Sequence, residues 1–153
     1  MIVEVNDTNI RQAAYIHSVS WKDSHRSFCK PDFVEAHTPE RQEKYLHGKT
    51  ENGSKIFMIY GRTPAESAPV GIVSVTGNLI EDLYILPDFQ RQGYGTELLH
   101  HAISECDGVP ILWILENNHN AEKLYRKNGF KETDRRKIVD KGLDEIEFSR
   151  TDP

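Results

Sequence analysis

The chain has 153 residues, 37% of them hydrophobic, with 24 Asp and Glu against 19 Lys and Arg for a formal net charge of −5. That length allows one domain with a sizeable core and is short for two; the charge argues against nucleic acid as the main partner and suits a positively charged substrate. No apolar run approaches the roughly 20 residues of a membrane span, and Cys29 and Cys106 have no spacing that indicates a disulfide framework or a zinc knuckle. The opening Met-Ile-Val-Glu-Val-Asn-Asp lacks the basic-then-apolar pattern of a signal peptide, so a cytoplasmic protein without membrane contact is expected.

Ile2 to Val5 reads as a strand. Asp7 or Thr8 then caps a helix whose apolar positions are Ile10, Ala13, Ala14 and His17. Periodicity fades between Ser18 and His37, where Trp21, His25, Phe28 and Phe33 mix with polar groups. Thr38-Pro39-Glu40 restarts a helix, with Thr as cap and Pro at the first helical position, running to about His47. Lys55 to Tyr60 and Val70 to Thr76 are β-rich runs joined by a turn-like stretch, and Gly77-Asn78 leads into a third antiparallel strand.

That third strand and the turn at its end, from Asn78 to Thr96, carry the strongest functional signal. Alternation places Leu79, Glu81, Leu83 and Ile85 on one side and Ile80, Asp82, Tyr84 and Leu86 on the other. Gln90-Arg91-Gln92-Gly93-Tyr94-Gly95-Thr96 then supplies two glycines ahead of a helix whose apolar face is Leu98, Leu99, Ala102, Ile103 and Cys106. Strand, bare turn and helix make an anion site, because glycines admit a ligand close to the backbone and the first helical N–H groups favour phosphate oxygens. An ATP/GTP loop needs Lys then Ser or Thr after its last Gly, and here Thr96 and Glu97 follow Gly95. A dinucleotide fingerprint needs a third Gly where Leu98 stands.

After Asp107-Gly108, the apolar run Pro110 to Leu115 reads as a central strand parallel to the 79–86 strand across a helical crossover. A short helix over Ala121 to Asn128 stops at Gly129-Phe130, and Lys131 to Val139 with Glu145 to Arg150 closes the chain as a charged hairpin around Lys141-Gly142.

Two patterns, Gln-x-x-Gly-x-Gly (Gln90, Gly93, Gly95) and Asn-x-x-Ala-x-x-x-Tyr-x-x-x-Gly-Phe (Asn118, Ala121, Tyr125, Gly129, Phe130), occur in order, one strand apart. Together they resemble the GNAT N-acetyltransferases, and the likeness extends to the element order of nearly the whole chain. It implies a single mixed α/β domain over residues 1–153, with a mostly antiparallel sheet of six or seven strands, one parallel pair, and about four flanking helices. It implies acetyl-CoA as co-substrate, its pantetheine arm along Leu83, Tyr84 and Ile85, its pyrophosphate held by Arg91, Gln92, Gly93, Tyr94, Gly95 and Thr96 with Gln90 opening the loop, and Asn118 reaching the arm. Tyr125 matches the family's general acid.

The acceptor amine must lose a proton, and at pH 7 that costs a lysine-like amine roughly 4.6 kcal/mol. Glu81, Asp82 and Glu116 are the candidate acceptors. Trp21, His25, Phe28 and Phe33 are candidates for the acceptor pocket, with Glu116 at its rim. The seven histidines have no ligand spacing, so no metal is expected. A small-molecule amine or an exposed protein amino group is the expected acceptor, and a monomer or homodimer the expected assembly. The rival reading is a non-catalytic acyl-CoA-binding module with a regulatory or interaction role.

Overall fold

A computed structural model describes residues 1–27, 29–63, 68–140 and 142–151. Its strands are β1 (Ile2–Glu4), β2 (Lys55–Tyr60), β3 (Pro69–Thr76), β4 (Leu79–Ile85), β5 (Ile111–Leu115), β6 (Lys131–Asp140) and β7 (Leu143–Ser149). Its helices are α1 (Ile10–His25), α2 (Pro31–Glu35), α3 (Pro39–Glu51), α4 (Tyr94–Glu105) and α5 (His119–Lys127). The strands form one sheet in the order β1-β2-β3-β4-β5-β7-β6, antiparallel throughout except for β4 beside β5. The expected mixed sheet and its parallel pair are therefore present. Of the helices, α2 lies in the stretch without periodicity and α1 runs on through Trp21 to His25.

Local chemistry accounts for the helix starts. Thr38 caps α3 by accepting from Arg41 N–H at 3.2 Å, with Pro39 at the first helical position, and Asn118 caps α5 by accepting from Ala121 N–H at 3.2 Å. Helices cover both faces of β2 to β4, so β3 is buried from Pro69 to Val75 and reads as a continuous apolar run. One core joins β2 to β5 and β7 with Leu98, Leu99 and Ala102 of α4; the other joins Ile10, Ala13, Ala14 and Ile16 of α1 and Leu46 of α3 to Ile56, Met58 and Ile72. Each large apolar side chain so buried contributes about 1.5–3 kcal/mol. Among the described residues no helix is long and apolar enough to cross a membrane.

Strict alternation along β4 fails at one place. Ser74 stands opposite Glu81 and Ile72 opposite Tyr84, so Val73 faces two residues, Asp82 and Leu83, and Asp82 takes a left-handed φ of 55°. This β-bulge resets the side-chain phase. Ile80 now shares the α4 face with Leu83 and Ile85, while Glu81 and Asp82 both reach Lys49 of α3. The expectation that the two carboxylates point to opposite faces is thus corrected.

Candidate active site

The glycine-bearing turn has the backbone geometry expected of an anion site. Gly93, at φ 89°, is the residue that lets the chain enter α4, and Glu97 N–H is the first to donate to a carbonyl one turn back, Gly93 O at 3.1 Å. The N–H groups ahead of it therefore open the helix at its positive end. Arg91 also takes a left-handed φ, 63°, and is exposed at the rim. Tyr94 is buried and Thr96 half-buried, while Gln92 is exposed and its side chain donates to Asp88 O at 3.3 Å. A Cβ at Gly95 would meet Leu124 of α5 at 3.7 Å and Ile85 at 3.8 Å, so the turn, β4 and α5 come together there.

The turn sits at the mouth of a split in the sheet. β4 and β5 are in register only at Leu79 and Ile111, and beyond that point they part. Leu86 N–H donates to Val70 O at 2.8 Å, so alternation along the ladder turns the backbone groups of Ile85, and of Leu83 before it, to the opposite edge. Ile85 O accepts there from Gln90 Nε2 at 3.1 Å. Tyr84 pairs with Ile72 on the other side, so its backbone faces β3.

Across the α1 and α3 face of β4 runs a polar network that sequence reasoning missed. Asp82 accepts from Tyr45 Oη at 3.1 Å, Lys49 Nζ at 2.9 Å and Ser74 Oγ at 2.9 Å, and meets His17 Nε2 at 3.1 Å. Burial alone would push the Asp82 carboxyl up; the bond to His17 and the Lys49 ammonium outweigh it and hold the group well below the usual range. Lys49 is held above its ordinary value against its own burial by the same carboxylate and by Glu81. Glu81 bonds Lys49 Nζ through Oε1 at 2.8 Å and its side chain is 42% exposed. Gln42, Tyr45 and Lys49 recur at i, i+3 and i+7 on the inward face of α3, and that polar stripe was the readable signal.

Tyr125 is half-buried on α5, its ring edge-on to Phe130 at 5.9 Å, and burial raises its phenol. Tyr84 is raised by burial first and then by the charge of Asp82. Glu116 instead forms an ion pair with Arg136 at 2.6 Å on the rim. Trp21 is clamped between the rings of His25 at 3.9 Å and His37 at 3.5 Å, so both its faces are covered and it offers an edge. Phe28 lies outside the described residues. Asn118 spends its side-chain oxygen on the α5 cap. Among the described residues no group of His, Cys, Asp and Glu has the arrangement of a metal site.

The glycine-led start of α4 thus follows β4 in the chain, the strand that parts from β5 beyond Leu79 and Ile111. Residues 52–132 match the family profile described as acetyltransferase (GNAT) domain, and the chain belongs to that family. It is 36% identical over 77 residues to the peptidyl-lysine N-acetyltransferase YjaB of Salmonella typhimurium, covering 50% of this chain and 52% of that protein. It is 33% identical over 95 residues to the [ribosomal protein bS18]-alanine N-acetyltransferase of Escherichia coli, covering 59% and 57%. The chain thus spans about half the length of the curated relatives it matches. In fold it is similar to the PaiA N-acetyltransferase of Thermoplasma acidophilum in complex with coenzyme A, at TM-score 0.72 and 18% identity over 96% of both chains. It is also similar to apo YjaB of E. coli, at 0.70 and 20% over 100% of this chain and 98% of that one.

Proposed function

We propose that this chain is an acetyl-CoA-dependent N-acetyltransferase that passes acetyl to a primary amine by direct attack in a ternary complex. The observation that carries the reading is the coincidence of the Gly93 helix start with the split between β4 and β5. Pyrophosphate on the first turn of α4 directs the pantetheine arm into the split, where the N–H and C=O of Leu83 and the N–H of Ile85 accept it as an added strand would be accepted. The Asn118 side-chain NH₂ remains to donate to the arm.

In this reading the neutral amine attacks the thioester carbonyl, the C–N bond forms, and collapse of the tetrahedral species breaks the C–S bond. Glu81 takes the amine proton, because Asp82 is saturated and too weak a base. Tyr125 hydrogen-bonds the departing thiolate and returns a proton to it; its raised pKa suits stabilising the developing charge rather than early transfer. An acyl-cysteine carrier has no support: Cys106 follows the last residue of α4, about 20 Å along the helix from Gly93, and burial raises its thiol. The relatives named for peptidyl-lysine and for a ribosomal-protein alanine favour an exposed protein amino group as acceptor, with small amines as the alternative.

The test mixes protein, acetyl-CoA and a panel of amines and N-terminal or lysyl peptides with a thiol-detecting dye. Thiol release that depends on the amine is expected; tight CoA binding with no release from any amine would replace the enzyme by a binding module.

A further inference from the structure

Arg62, in the connection between β2 and β3, carries no motif in the sequence, yet its side chain is organised around the anion turn. Its guanidinium lies over the Tyr94 ring, 4.1 Å from the centroid, donates through Nη1 to Gln92 O at 2.7 Å, and holds Glu97 through Nε at 3.2 Å and through Nη2. Its backbone N–H donates to Tyr94 Oη at 3.1 Å. A Cβ on Gly93 would stand 3.3 Å from Nη2.

We infer that Arg62 is a positioning residue that sets the turn for the pyrophosphate of CoA without touching it. This rests on the acetyl-CoA reading above. In a trans peptide the C=O and the N–H point opposite ways, so a guanidinium fixed on Gln92 O aims Gly93 N–H to the far side, into the anion site. Glu97 is the second part of the device. A carboxylate in the first turn of α4 suits the empty helix but competes with phosphate for the same N–H groups and field. The two-point hold of Arg62 on Glu97 turns that carboxylate aside and cancels its charge, so the helix start stays open to an anion.

Calorimetry with CoA and turnover with acetyl-CoA and S-acetylpantetheine test this in wild type, Arg62→Ala, Arg62→Gln, Arg62→Lys and Arg62→Ala with Glu97→Gln. Arg62→Ala and Arg62→Gln should weaken CoA about tenfold, the size expected of one lost charge-assisted contact, with Arg62→Lys between. The ratio of kcat/KM for acetyl-CoA to that for S-acetylpantetheine, which has no pyrophosphate, should fall by the same factor. Adding Glu97→Gln should restore most of the affinity. Variants that bind CoA within twofold of wild type, or that lose both thioesters equally, overturn the assignment and leave the acetyl-CoA reading standing. A wild-type protein that does not bind CoA overturns that reading, and this inference with it.

Discussion

Glu81 and Asp82 are adjacent carboxylates bonded to one ammonium, and their surroundings differ. Asp82 is 11% exposed and has four partners, so its charge is held within the network. Replacing Lys49 by Met leaves it with a missing cation and should cost about 3–5 kcal/mol in urea unfolding at pH 7. The sign with pH comes from the depressed carboxyl: its stabilisation is present above the ordinary range near 3.9 and is lost as pH falls toward the lowered folded value, so the Lys49→Met penalty should shrink in acid. Glu81→Gln should instead spare stability, lower kcat/KM by about 10²-fold or more at pH 7, and recover part of the rate at pH 9, where more amine is already neutral. A flat ratio of variant to wild type across that pH range would remove Glu81 as the base. Tyr125→Phe keeps the ring against Phe130 and should lower kcat by about 10²-fold while CoA affinity stays put; turnover within twofold of wild type would mean a packing tyrosine. The types of these residues were readable from the sequence, but their directions were not, because the alternation rule has no way to sense that Asp82 turns left-handed and shifts the phase of everything before it.

At the scale of elements, regular pieces were legible and irregular ones were not. α4 announces itself through an apolar face behind two glycines, and α5 through a cap and a glycine stop, all local properties of the chain. The stretch from Ser18 to His37 carries no such period because its order comes from tertiary ring packing: His25 and His37 sandwich Trp21, Phe33 meets both Trp21 and His37 edge-on, and Ser18 Oγ donates to His37 O at 2.6 Å. This assembly ties the end of α1 to α2. Burial lowers the pKa of both histidines, more than their backbone bonds raise it. A lowered histidine means the folded state binds fewer protons than the unfolded one below about pH 6.5, so stability is full above that value and falls as the medium is acidified. In a Trp113→Phe background, where Trp21 is the remaining indole, Trp21 emission should therefore change as the pH is taken below about 6.5. Replacing His25 and His37 by Phe should flatten that transition; an unchanged profile would place the titration elsewhere.

For the whole molecule, the decisive feature is that one half of the sheet is joined to the other by a single register pair, Leu79 with Ile111, on β4 and β5. The strand order could be reasoned from the crossover and the hairpins, but the parting of the two strands could not, since it is an absence of pairing between stretches that each look like good strands. α4 packs on one face of the sheet, and the backbone edge of Leu83 and Ile85 faces the parting, where Ile85 O accepts from Gln90. CoA laid along that edge would act as the missing strand, so its binding should stabilise the molecule as a unit and not only order a loop. At a free ligand concentration of 100 times Kd the gain is about 2.7 kcal/mol, which for a domain of this size means a rise in Tm of about 5–10 °C. Amide exchange should report the same event locally, with slowing at Leu83, Ile85 and the first turn of α4, and little change at Tyr84, which already faces β3. Gly93→Asp places a carboxylate, at a φ that disfavours any side chain, directly on the phosphate path, and should abolish both the Tm shift and the exchange protection. If Gly93→Asp still gained the wild-type shift from CoA, the anion site would lie elsewhere; if CoA raised Tm without slowing Leu83 and Ile85, the pantetheine arm would not run in the split.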